Sequence, residues 1–185
     1  MNSLVPILLV FIIFSISSSF AVDILEAVES GDITSLNDIL IIFNISKMNN
    51  VISLCITAAS FSWEVIVIGL TVHSKLESYI NTRFPELNIM RLENLDMMKE
   101  YLHTRNTPLY GLEIIDGAIS LRELAKLKES KLLKIALMPG NEGNGINITG
   151  KKVCDGFVFI PQYGNGTASL NVNVATSISI QQLSS

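Results

Sequence analysis

The chain has 185 residues, 49% hydrophobic and only 16% charged, which excludes a disordered polypeptide and allows one domain with a sizeable core. Lys and Arg number 13 against 17 Asp and Glu, a formal net charge of −4. A grip on nucleic acid through overall charge is thereby excluded, because phosphate affinity comes largely from Lys and Arg; a local basic patch or a partner would have to supply it.

Taken in order, residues 1–21 form a hydrophobic signal-like segment. Leu4–Phe14 is nearly all apolar, and the serine-rich stretch that follows ends at Ser19-Phe-Ala21, a small-residue cleavage pattern. This predicts entry to the secretory route and a path onward to an organelle. A membrane anchor or a cytoplasmic location is the alternative, although the apolar run is short for a span. If the segment is not cleaved, it is the chain's expected contact with a membrane. Residues 22–37 read as a linker or short helix, and residues 38–182 as the folded domain.

Within that domain, strands are predicted at Ile39–Ile45, Glu64–Leu70, Ile89–Leu92, Leu109–Ile114, Leu133–Met138 and Gly156–Ile160. Helices are predicted at Asn49–Phe61, at Ser74–Phe84 before Pro85, and at Asn94–Leu102 with Asn94 as cap. Ser120-Leu-Arg-Glu123 is a capping box for a helix reaching about Ser130, and Gly145–Lys152 is a connecting turn or helix. Strands alternating with helices imply an α/β domain with a mainly parallel sheet and helices on both faces. Trp63 and Phe61 are expected as core anchors, and Cys55 and Cys154 as inert buried thiols with no metal site. His73 and His103 are expected at the surface. The sequons at Asn44, Asn147 and Asn165 are incidental.

Two glycine-rich turns follow strands near the C-terminus: Pro139-Gly-Asn-Glu-Gly-Asn-Gly145, and the loop carrying Gly164 and Gly166 after Ile160-Pro161. Their position predicts a small-molecule cleft at the carboxyl ends of the sheet. Asn171–Ile180 alternates polar and apolar residues and from pattern alone reads as a strand.

Gly140-Asn-Glu-Gly-Asn-Gly145, Ile160-Pro161 and Ser169-Leu-Asn-Val172 together resemble the second and third motifs of the SpoU family of RNA ribose methyltransferases, in the SPOUT superfamily. Asn44–Val51, Thr57–Phe61, Val65–Gly69 and Tyr110–Ala118 extend the resemblance over about residues 38–182. It implies a SPOUT-type sheet with a C-terminal trefoil knot, a helix rather than a strand after Asn171, and a homodimer. It also implies S-adenosylmethionine as cofactor and 2′-O-methylation of a ribose in tRNA or rRNA. By the family pattern, Gly140, Ile160 and Leu170 bind the cofactor, while Asn50, Glu142, Ser169 and Asn171 form the catalytic set that orders loops and substrate. No metal is implied. Leu54, Ile56 and the Val174–Ile178 face would supply apolar surface to the dimer.

The first motif departs from the family. Asn50 matches, but Ile52 stands where the family has glycine, and Ile56 where it has the arginine that assists the attacking hydroxyl. Isoleucine donates no hydrogen bond, so either Lys47 or a partner's arginine substitutes, or the chain is a catalytically impaired paralogue serving as a cofactor- or RNA-binding dimeric module.

Overall fold

The structure, a computed structural model, describes residues 37–69, 79, 82–131, 133–164 and 169–184, all within the second of the chain's two compact units, Asn37–Ser185. The signal-like segment, the linker up to Leu36, most of the helix expected at Ser74–Phe84, His73 and the sequon at Asn165 lie outside the described residues.

The elements are β1 (Ile39–Phe43), α1 (Met48–Ser60), β2 (Glu64–Ile68), β3 (Ile89–Leu92), α2 (Leu95–Thr104) and β4 (Leu109–Leu112). Then come β5 (Ile119–Ser120), α3 (Leu121–Lys131), β6 (Ala136–Pro139), α4 (Ile148–Val153), β7 (Gly156–Phe159) and α5 (Val172–Leu183). Among the described residues the seven strands form one sheet, ordered β3-β2-β1-β6-β4-β7-β5, with every pairing parallel. β1 and β2 are continuous β-branched and leucine runs because helices cover both their faces. Leu40, Ile42, Val65, Val67, Leu137 and Val158 join one core with Val51 and Leu54 of α1, Leu121 and Leu124 of α3, and Ile180 and Leu183 of α5. On the other face α2 buries Met98, Tyr101 and Leu102, packs on β2 and β3, and meets α4.

At the amino ends of the strands, two ion pairs tie the sheet to its helices. Arg105, just past α2, donates to both Glu64 oxygens at 2.6 and 3.0 Å, and to the Tyr101 hydroxyl at 2.5 Å. Asp38 meets Lys128 of α3 at 3.0 Å and accepts the Ile135 N–H at 2.9 Å.

Several expectations are corrected. β4 stops at Leu112, leaving Ile114 exposed, and β6 begins at Ala136 rather than Leu133 because Asp38 takes the Ile135 N–H. The short β5, pairing with Val158 and Phe159, had no sequence signal beyond the capping box that follows it. That box forms: Ser120 N–H donates to Glu123 at 2.8 Å, and Glu123 N–H to Ser120 Oγ at 3.3 Å. Asn171–Ile180 is helical, as the resemblance implies, against its alternating pattern. Thr176 and Ser179 donate their hydroxyls to the Val172 and Ala175 carbonyls one turn back, so these polar residues lie buried in a helix at no loss of hydrogen bonds. Trp63 is buried as expected, but Phe61 is 38% exposed, because it closes α1 at the surface. Leu54 belongs to the core and is not available to a partner.

Candidate functional site

β4, β6 and β7 lie side by side and end at the same edge of the sheet. The segments leaving them, with the start of α5, enclose a cleft of about 460 Å³ lined by residues 112–114, 139–145, 159–160, 162, 169–172 and 175. Its site is the carboxyl end of a parallel sheet, where ligands of α/β folds bind.

The wall from β6 is a tight turn. Asn141 and Gly145 exchange backbone hydrogen bonds of 3.0 and 3.1 Å, and Gly143 N–H donates to Asn141 Oδ1 at 2.9 Å. Closure depends on two glycines. A Cβ on Gly140 would lie 2.9 Å from Gly145 Cα, and Gly145 itself has φ +65°, where L side chains are strained. Glu113, just beyond β4, accepts the Ile146 N–H at 2.6 Å and pairs with Lys151 at 3.6 Å, bracing the turn from below.

The same turn reaches across to the loop before α1. Asn141 Nδ2 donates to the Asn44 carbonyl at 2.6 Å and to Ser46 Oγ at 2.8 Å. Glu142 accepts the N–H groups of Ser46 and Lys47, each at 3.2 Å, and the Asn50 side-chain amide at 2.5 Å. α1 has no side-chain cap of its own; Glu142, 95 residues away in sequence, takes the N–H of its N-cap residue Lys47 and that of Ser46 before it. Partial burial pushes the Glu142 carboxyl upward, but hydrogen bonds from its own backbone, Asn50, Ser46 and Lys47 outweigh it and hold the pKa below the usual carboxylate range.

The third wall begins with Ser169, Leu170 and Asn171. Asn171 caps α5 by accepting the Asn173 N–H at 2.9 Å. Asn173 Nδ2 in turn donates to Asn50 Oδ1 at 2.8 Å, and Thr57 and Ser177 hydroxyls meet at 3.1 Å between α1 and α5. Three segments distant in sequence are thus linked by side-chain amides and one carboxylate.

Of the sequence-predicted residues, Gly140, Glu142, Ile160, Ser169, Leu170 and Asn171 line the cleft. Asn50, 9% exposed, does not; it stands behind Glu142 and acts through it. Ile52 is half-buried on α1 and Ile56 is 36% exposed. Sequence reasoning passed over Glu113, Asn141 and Asn173. A carboxylate directly after a strand was the available signal for Glu113, whereas nothing local marked Asn173. Cys55 and Cys154 are both pushed up to about 12, chiefly by burial, and are unreactive thiols. No group of three or more His, Cys, Asp or Glu among the described residues is placed to hold a metal, and no described helix is long and apolar enough to cross a membrane.

Apolar walls from Leu112, Ile114, Phe159, Leu170 and Val172 suit a flat ring, and the described lining carries Glu113 and Glu142 but no Lys or Arg. That lining, acidic and without a cation, suits a small ligand bearing positive charge better than a nucleotide phosphate.

The sequence pattern of the SpoU rRNA methylase family matches residues 37–181. An uncharacterized tRNA/rRNA methyltransferase of Synechocystis sp. is 28% identical over 152 residues, covering 78% of this chain but 37% of that protein. A TrmH-family RNA methyltransferase structure from Porphyromonas gingivalis, described as putative in its own name, superposes with TM-score 0.65 at 25% identity, covering 80% of this chain and 59% of that one. The SpoU methyltransferase AviRb of Streptomyces viridochromogenes superposes with TM-score 0.66 at 19% identity, over 80% of this chain and 58% of AviRb. AviRb in complex with AdoMet superposes with TM-score 0.64. The chain therefore spans less than two thirds of the length of these relatives.

Proposed function

The chain belongs to the SpoU rRNA methylase family, and we propose on that premise that it methylates the 2′-hydroxyl of a ribose in tRNA or rRNA, using S-adenosylmethionine, as a homodimer. The observation that carries this reading is the cleft: the glycine-rich 139–145 turn, Ile160 and Ser169-Leu-Asn171 meet at the carboxyl ends of adjacent parallel strands. AviRb, with the same fold, binds AdoMet.

S-adenosylmethionine, when bound, supplies a methyl group activated by its sulfonium. Gly140, Ile160 and Leu170 would hold it mainly through backbone groups, which explains why these positions are small or apolar rather than charged. Asn50, Glu142, Ser169 and Asn171 would keep the walls in register so that the ribose hydroxyl stands in line with the methyl, where positioning supplies much of the rate. The hydroxyl must also lose its proton, and a neutral hydroxyl is a weak nucleophile without help. The exposed Ile56, Phe61, Val174 and Ile178 on α1 and α5 offer apolar surface to a second copy. The family likeness further implies a trefoil knot, and insertion of β6 and β7 between strands laid down earlier fits such a course. We read residues 1–21 as the signal that brings the chain into the secretory route.

A second reading, a module that binds cofactor or RNA without turnover, is favoured by one observation: α1 presents Ile52 and Ile56 where the family pattern has glycine and arginine. Methyl transfer to total RNA, measured beside calorimetric binding of S-adenosylmethionine, separates the two. Binding with transfer is the expected result, and binding without transfer favours the module. Absence of S-adenosylmethionine binding overturns the enzyme and the cofactor-binding module, and leaves only a module that binds RNA.

A further inference from the structure

Resting on the cleft assignment above, we propose that Asn173 is a positioning residue: it sets which way round the Asn50 amide sits, and so pins Glu142 and the 139–145 turn in the form that shapes the cleft.

The inference starts from a chain of three side chains. Asn173 Nδ2 donates to Asn50 Oδ1 at 2.8 Å, and Asn50 Nδ2 donates to Glu142 Oε1 at 2.5 Å. An amide can sit either way round, and the two ways differ only by exchange of a donor and an acceptor. A carboxylate can only accept, so it needs the N–H side of Asn50. That orientation turns the Asn50 carbonyl toward α5, where only a donor is tolerated, and Asn173 presents its amide N–H there. The arrangement leaves Asn173 Oδ1 buried with no hydrogen-bond donor among the described residues. Asn173 thus sits in the orientation that serves Asn50, at the expense of its own second group. Asn171 adds to the constraint by accepting the backbone N–H of Asn173, which fixes the first turn of α5 beneath the side chain.

The direction of donation therefore runs from α5 to α1 to the β6 turn, ending on the Glu142 carboxylate, which also accepts the N–H groups of Ser46 and Lys47. If Asn173 ceased to donate, the Asn50 amide would be free to turn. Its carbonyl would then face Glu142, and the turn would lose its anchor on α1.

Reversing the chain tests this. Asn173→Asp puts an acceptor where the relay needs a donor, while Glu142→Gln supplies a donor at the opposite end, so the double variant can carry the complete chain in the other direction. Melting temperature and calorimetric affinity for S-adenosylmethionine are measured on the full chain for wild type, each single variant and the double. Asn173→Asp alone should weaken cofactor affinity about tenfold, and the double variant should regain most of the loss. Simply additive effects would overturn the relay. The cycle is repeated with Asn50→Leu in every member, where the coupling should vanish; coupling that survives would be charge repulsion between the outer residues, and would also overturn it. A wild type that melts cooperatively yet binds no S-adenosylmethionine would sink the reading of the cleft, and the melting temperatures would still decide the relay.

Discussion

The carboxylate of Glu113 lies directly beneath Gly145, so that a side chain built on this glycine would run into both Glu113 oxygens. Gly145 is also held at φ +65° while Glu113 accepts the next residue's N–H at 2.6 Å. Gly145→Ala should therefore cost about 1–3 kcal/mol from the backbone conformation alone. Displacement of the turn should lower affinity for S-adenosylmethionine about tenfold or more, as read by calorimetry. Unchanged binding with a normal melting temperature would show that the turn is not part of the cofactor wall.

Glu142 titrates below its ordinary value of 4.5, since donors from Asn50, Ser46 and Lys47 outweigh its partial desolvation. A carboxyl with its folded pKa below its unfolded one contributes stability that is fully present above the unfolded value and lost as pH falls through the folded value. The stability difference between wild type and Glu142→Gln should accordingly be largest near neutral pH and shrink below about 4.5. Urea unfolding from pH 3 to 8 reads it, and a gap that widens in acid would contradict the assigned hydrogen bonds.

Ile56 stands on α1 where the family pattern has an arginine, and it is partly exposed. Ile56→Arg combined with Ile52→Gly should raise methyl transfer, by about 10²–10⁴-fold if a positioned cation is what the chain lacks. If Lys47 already serves, the wild type is active and Lys47→Ala is the damaging change. An active wild type indifferent to both would put the chemistry elsewhere.

Val174 and Ile178 are 47% and 39% exposed, one turn apart on α5. Val174→Asp with Ile178→Asp should convert a dimer to a monomer while leaving the melting temperature of the subunit little changed, because neither side chain belongs to the core. Light scattering at micromolar concentration decides it; a wild-type monomer would remove the proposed assembly.

Arg105 and Glu64 form a buried two-bond ion pair at the far end of the sheet from the cleft. Arg105→Met should destabilise by about 3–5 kcal/mol because Glu64 is left charged and unpaired, lowering the melting point by roughly 10 °C. Adding Glu64→Leu should recover much of that loss. Failure of the second change to help would mean that the pair contributes more than mutual compensation.

What the sequence makes legible is what its local signals encode. β1, β2 and β3 were legible from apolar runs, and the α2 start from Asn94, whose side chain accepts the Met97 N–H at 3.0 Å. α5 was not legible from periodicity, because Thr176 and Ser179 satisfy their hydroxyls on their own helix and so imitate exposed strand positions; the motif resemblance was needed. The cleft walls at Gly140, Ile160 and Leu170 were legible because glycine turns and short motifs are contiguous. Asn173 and the hold of Glu142 on Ser46 and Lys47 were not, since each exists only through a partner about 95 to 123 residues away.

The strand order has a consequence for how the molecule comes into being. β3, β2 and β1 can zip together once residue 92 is available, but β4 touches neither of them; it joins the sheet only when β6 slots in beside β1. β5 likewise waits for β7 to bridge it to β4. A nascent chain ending near residue 130 is thus a three-stranded island with unpaired strands hanging from it, their edges open to other chains. Closure of the sheet and assembly of the cleft are one late event, delayed by pairings between segments distant in sequence. Truncations that remove β6 and β7 should therefore lose the closed sheet and the cleft together.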